Sequence, residues 1–260
     1  MSGLEEALAL RADGEGRWLG VADPDHESIN GMFGGWTAAL CLAAVGRSTD
    51  PARRPSALTV NFVSVVPPGE EVVVAVERLG ATRSLEHWRA DLRTTADGTL
   101  RASALAVVAD RRASDGHVQP SLPAVPGPDQ LEEFHAPGTQ GQRTLLRPIL
   151  MEYGTGDTTS MAWVRELSGR PVDHLTLAYL ADQFPPRPFF WGGGPRPSAT
   201  LTMSVYFHAT AEELAAVGDD YICNEAVGSR GESSTSGQHA RQWSRTGTLL
   251  ATSEQLAWYR

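Results

Sequence analysis

INGMFGGWTAALCLAAVG (Ile29–Gly46) puts two adjacent glycines ahead of an Ala-rich run and carries no charge over its whole length. The run predicts a helix that begins at Gly34 or Gly35 and reaches about Val45. A helix so smooth on every side meets backbone on most of them, because Gly and Ala let strands approach closely where bulky or charged residues would not fit. The stretch therefore predicts a central helix wrapped by a sheet. Its two glycines admit two readings. Free N–H groups at a helix start make a site for an oxyanion or a carbonyl oxygen, which makes Gly34 and Gly35 candidate oxyanion or substrate-binding residues. A tight turn into a buried helix accounts for them equally well.

Around this helix the sequence reads as strands. RWLGVAD (Arg17–Asp23) precedes it. SALTVNFVSVV, EEVVVAVERLG and LEHWRADLRTTADGTLRASALAVVA follow, rich in β-branched residues and divided by PPG and ADG, giving four antiparallel strands. From Asp110 to about Gly141 Pro and Gly remove any period, as in a linker or surface crossover. Then the pattern returns. LLRPILMEYG and TSMAWVREL read as strands, and DHLTLAYLADQF as a helix. SATLTMSVYFHA, DDYICNEAVGS, GQHARQWSR and GTLLATSEQLAWY read as strands again. SALTVNF echoes ATLTMSV and DGTLRAS echoes TGTLLATS, in order. The chain thus divides into residues 1–112, a linker 113–140 and residues 141–260. A repeat of about 110 residues is too long for a solenoid unit. Two α+β copies are expected, each a curled antiparallel sheet around one helix (near 34–46 and 172–184), with the sheets joined edge to edge.

Composition narrows the function. The 260 residues are 41% hydrophobic and 20% charged, enough for a substantial core. A formal charge of −9 argues against nucleic acid or an anionic membrane as partner. Cys41 and Cys223 lie in apolar stretches without CxxC spacing, so neither a disulfide nor a metal site is expected. MSGLEEALAL lacks a basic n-region and no apolar run reaches the length of a membrane span, which predicts a soluble, cytoplasmic protein. Self-association is left open.

NGMFGGWTAAL, SALTVNF, HLTLAYLADQFPP, TLTMSVYFH and GTLLATSEQLAWYR together resemble the double hotdog acyl-CoA thioesterases related to bacterial acyl-CoA thioesterase II. The resemblance implies a double hotdog fold and an acyl-CoA substrate hydrolysed by a water. That water is held by an Asp near the end of the second helix, a Thr opening the next long strand and a Gln on the last strand. Those motifs fall on Asp182 in AYLADQ, Thr200 in SATLTMS and Gln255 in ATSEQLA. The acidic and His residues that follow the family's Thr are here Thr202 and Met203, so acyl length does not carry over.

The chemistry suits these residue types. A thiol leaves readily as thiolate, so one oriented water and a carboxylate base are enough, with no metal or cofactor. Aligning the repeats by their motifs puts Ala44, Ala57 and Ala106 opposite Asp182, Thr200 and Gln255, which predicts one site per chain. Arg187 and Arg196, in or beside the loop FFWGGGPRPS, are candidates for CoA phosphates, with solvated surface arginines as the plainer reading. Phe189, Phe190 and Trp191 fit either an acyl or adenine pocket or the core. His26 and His208 lack metal spacing, and the absence of GxSxG disfavours a Ser-His-Asp hydrolase. The rival functions are an enoyl-CoA hydratase on the same fold and a non-catalytic acyl-CoA-binding protein.

Overall fold

Residues 3–260 are described in a computed structural model. The chain starts with α1 (Leu4–Ala7), β1 (Arg11–Ala12) and β2 (Arg17–Val21), and a small pair, β3 (Glu27–Ser28) and β4 (Gly31–Met32), leads into α2 (Gly34–Ser48). Four strands follow: β5 (Arg54–Phe62), β6 (Glu71–Ala81), β7 (Leu85–Thr94) and β8 (Leu100–Ala109). Beyond the crossover come β9 (Thr144–Leu150), β10 (Ser160–Glu166), α3 (His174–Leu180), α4 (Pro188–Trp191), β11 (Ser198–Phe207) and α5 (Ala211–Val217). The last three strands are β12 (Ile222–Glu232), β13 (Thr235–Ser244) and β14 (Leu249–Tyr259).

All strands but β3 and β4 join one antiparallel sheet in the order β1-β2-β6-β7-β8-β5-β11-β14-β13-β12-β10-β9. The order on one side of the β5–β11 seam repeats on the other. At the seam Thr59 pairs with Ser204, and their hydroxyls hydrogen bond at 2.9 Å. The smoothness of α2 has the expected cause: Gly35 through Val45 are buried, and the helix packs on β5 to β8 and on α3. Strand alternation follows the pleat. In β7, for example, Glu86, Trp88, Ala90, Leu92 and Thr94 face inward.

Several expectations shift. The helix read over 172–184 stops at Leu180. The Leu180 and Ala181 carbonyls accept from Asn224 Nδ2 (3.0 Å) and Gln255 Nε2 (3.3 Å), so side chains of β12 and β14 take up helix-end acceptors. Pro185 and Pro186 then bar further helix. The second part of the crossover lies on the sheet surface: Leu122, Val125 and Leu131 pack on Trp163, Tyr221 and Trp243 at the outer face of the second sheet half, and Trp163 Nε1 donates to the Pro126 carbonyl at 2.8 Å. Helix α5 was not read, although Thr210 and Glu213 form a capping box at its start.

The register of the repeats also differs from the motif alignment. Each half has one extra residue at the matching bulge, Ser56 in β5 and Leu201 in β11, so Pro55 stands opposite Thr200 where Ala57 was expected. Ala106 does stand opposite Gln255, since Leu58 and Met203 are their respective partners. Matching the helix starts puts Leu42, rather than Ala44, opposite Asp182. The bulges match and cancel between the halves; the two-residue difference arises because Leu58-Thr59 and Leu201-Thr202 resemble each other without being structural equivalents.

Candidate active site

Just beyond the end of α3, Asp182 reaches the start of α2. Its Oδ2 accepts from the Gly35 N–H at 3.1 Å and its Oδ1 from Gln255 Nε2 at 2.9 Å. The Thr200 hydroxyl approaches the same carboxylate. Thr200 adjoins the Leu201 bulge, a distortion of the kind that re-aims a side chain at the end of a strand. The three predicted residues therefore converge, although they come from three separate elements.

Asp182, Thr200, Gln255 and Gly34 all keep partial exposure, while Phe33, Gly35, Ala181, Gln183 and Met203 around them are buried. Partly exposed site residues thus lie directly beside buried ones. Burial pushes the Asp182 carboxyl up to about 6, against the pull of Gln255, the Gly35 N–H and Thr200, which favour the ionised form. At neutral pH the group is largely ionised and is a stronger base than an exposed Asp.

The glycines have a packing reason. A Cβ on Gly34 would lie 2.5 Å from Asp182 Oδ2, and one on Gly35 would collide with the Tyr179 carbonyl and the Phe33 ring. Of their two amides, that of Gly35 is engaged by Asp182. That of Gly34 is the first in the helix and has no acceptor four residues back within it.

One residue of the site was not read from the sequence. Gln238 on β13 faces Gln255 across the strand pair and donates from Nε2 to Gln255 Oε1 at 2.9 Å. The alternation of GQHARQWSR puts Gln238, Ala240 and Gln242 on the inward face, so a buried amide there was a legible signal.

Both arginine candidates are hydrogen bonded to backbone carbonyls of the protein. Arg187 is 2% exposed, and its guanidinium donates to the carbonyls of Pro185, Thr158 and Ala226 and to Ser160 Oγ, over the Phe190 ring. It is a buried clamp, neither a phosphate contact nor a solvated surface group. Arg196 donates to the Gly192 carbonyl at 2.9 Å and lies over Tyr259. Phe190 is core, Phe189 is half-buried, and Trp191 packs edge-on to Tyr259 and against Gly231. His26 Nδ1 bonds the Tyr179 hydroxyl at 3.0 Å and His208 Nε2 the Thr252 hydroxyl at 2.9 Å. Among the described residues no three His, Cys, Asp or Glu side chains gather as a metal site, and no helix is long and apolar enough to cross a membrane. Cys41 and Cys223 are free and buried.

Residues 113–259 match the family described as Acyl-CoA thioesterase C-terminal domain, and residues 22–109 match Acyl-CoA thioesterase N-terminal domain. A search of curated proteins gave no match. Among solved structures, a conserved protein of unknown function with a hot dog fold from Alicyclobacillus acidocaldarius is 32% identical, with 99% of this chain and 97% of that chain covered and a TM-score of 0.92. A tesB protein from Mycobacterium avium subs. paratuberculosis is 22% identical (99% and 98% covered, TM-score 0.84). The acyl-CoA thioesterase II TesB2 of Mycobacterium marinum is 21% identical (99% and 98% covered, TM-score 0.79). The last two likenesses are of fold.

Proposed function

This chain belongs to the acyl-CoA thioesterase family, and we propose that it hydrolyses acyl-CoA to the free acid and CoA by direct attack of water at Asp182. In this reading the fold is a double hotdog with one site per chain. The observation that carries the reading is the convergence of Asp182, Gln255 and Thr200 at a partly open point beside the start of α2.

The water sits between the Asp182 carboxylate, the Thr200 hydroxyl and the Gln255 amide, which orient it toward the thioester carbonyl. As its oxygen bonds to the carbonyl carbon, its proton passes to Asp182. The Gly34 N–H receives the developing oxyanion, helped by the positive end of the α2 dipole. Collapse of the tetrahedral species breaks the C–S bond and releases CoA as thiolate, and Asp182 returns its proton to solvent or to the thiolate. A thiol leaving group makes a strong general acid unnecessary. The residues supply a base and donors for this sequence without a metal.

Thiol release measured across saturated acyl-CoA chain lengths tests the proposal. Turnover is expected with at least one length and is expected to survive dialysis against a strong chelator. Tight binding of acyl-CoA without thiol release would replace it with a non-catalytic binder.

A further inference from the structure

We propose that Gln238 is a positioning residue: its side-chain amide fixes which end of the Gln255 amide faces Asp182, and so how firmly the ionised carboxylate is held. The inference rests on the assignment of Asp182 as the base of the thioesterase site.

The geometry leaves the Gln255 amide one workable orientation. Its Nε2 faces Asp182 Oδ1 at 2.9 Å, the Ala181 carbonyl at 3.3 Å and the Met203 sulfur at 3.1 Å. All three accept, so an oxygen turned toward them would be repelled. Its Oε1 then points at β13, where Gln238 Nε2 donates to it at 2.9 Å. Gln238 is 6% exposed, so water does not readily substitute for that donor. The chain Gln238 to Gln255 to Asp182 runs in one direction, and donation at Oε1 polarises the Nε2–H that meets the carboxylate.

The groups facing Asp182 leave the amides in control of its titration. From α2 come the Gly34 and Gly35 backbone, from β11 Thr200 and from β14 Gln255, with Phe62 of β5 beside Gly34 and Met203 of β11 beside the Gln255 amide. The titratable neighbour is Tyr179 on α3, whose phenol burial holds neutral. Among the described residues no ionised side chain contributes to the Asp182 shift. Nothing charged therefore compensates when a neutral donor is lost.

Gln238→Met keeps the length and removes the donor, leaving Gln255 Oε1 unpartnered. Gln238→Glu keeps the shape but presents acceptors, which favours turning the Gln255 amide over and its oxygen toward Asp182. We expect kcat at pH 7 to fall roughly tenfold for Gln238→Met, with KM within about twofold, and by more for Gln238→Glu. The acid limb of the kcat profile should move to higher pH in Gln238→Met, a change that general loosening of the fold would not produce. The same displacement should appear in a 13C NMR titration of the Asp carboxyls, with the Asp182 signal assigned by its loss in Asp182→Asn. If the parent protein releases no thiol from any acyl-CoA but the Asp182 titration still moves in Gln238→Met, the coupling stands and the thioesterase reading falls. Parent activity with an unmoved titration and unmoved kcat in a folded Gln238→Met would overturn the inference. Should that variant not fold, Gln238→Glu with unchanged kcat and titration would overturn it equally.

Discussion

The inner face of the sheet differs between its two halves in a way the fold does not require. Under α3 the inward positions include Asn224, Gln242, Ser253, Gln238, Gln255 and Ser236. At the matching places under α2 stand Val74, Leu92, Ala104, Trp88, Ala106 and Glu86. The same backbone thus carries a polar strip once and a nearly apolar one once. The halves also contrast in how a carboxylate is held. Asp182 meets only neutral donors and burial raises its pKa to about 6, whereas Glu86 is held below its ordinary range by the Thr49 hydroxyl (2.6 Å), Trp88 Nε1 (3.1 Å), Arg53 and Arg78. The first environment keeps a base available, and the second neutralises a charge. The corner that would mirror the site is filled: Leu42 and Pro55 replace Asp182 and Thr200, and His174 stacks edge-on to Phe207 as Gly34 packs on Phe62. In the proposed reading one half carries the chemistry and the other supports it.

The sharpest way to break this contrast is Asp182→Asn, which preserves volume but removes the base. A fall in kcat of roughly 10²–10⁴-fold is expected, with KM little changed. Parent-rate hydrolysis by folded Asp182→Asn would end the assignment. Next in size is Gly34→Ala, whose Cβ would meet Asp182 Oδ2 at 2.5 Å and the Phe62 ring at 3.3 Å. Displacing the carboxylate should lower kcat roughly 10–100-fold. Gly46→Ala in the same helix adds a Cβ to open space and should instead raise stability by about 0.5–1 kcal/mol with activity intact. Thr200→Val and Gln255→Ala should each cost about tenfold, less than Asp182→Asn because the water retains other partners, and should not add to it. Steady-state kinetics with one acyl-CoA series measures all of these.

The sequence carried the helix α2 and the succession of most long strands along the chain because a charge-free Gly/Ala run and period-two strands are local signals. It also brought Asp182, Thr200 and Gln255 together, through ordered motifs rather than through any property of the three residues alone. What it concealed was tertiary. The end of α3 is set by Asn224 and Gln255, distant in sequence from Leu180, so no local cue marks it. The burial of Arg187 depends on the carbonyls of Thr158 and Ala226, which no sequence spacing announces. The two-residue error at Ala57 came from a chance likeness of Leu58-Thr59 to Leu201-Thr202, which strand pairing alone corrects. Gln238 and the capping box of α5 were different, being signals present in the sequence and passed over.

The smallest expected effect is on stability, and its sign separates the two carboxylates. Asp182 titrates higher in the folded protein, so its stabilising contribution is full below about pH 4 and is lost as pH rises toward and through 6. Removing that carboxyl should therefore raise stability, and with it Tm, above pH 6, by at most about 3 kcal/mol, which partial water access reduces, and should do little near pH 4. Glu86 titrates lower in the folded protein, so its contribution is present above its ordinary pKa and is lost as pH falls through the folded value. Glu86→Gln should lower Tm at neutral pH by the equivalent of about 1–3 kcal/mol, and by less in acid, without altering kcat. For a chain of this size either change amounts to a few degrees, within reach of thermal scans between pH 4 and 8. Opposite signs at pH 7, converging in acid, are the signature of one strained and one satisfied carboxylate. Equal signs would mean that the two halves hold their carboxylates in the same way and that the polar strip under α3 does not tune Asp182.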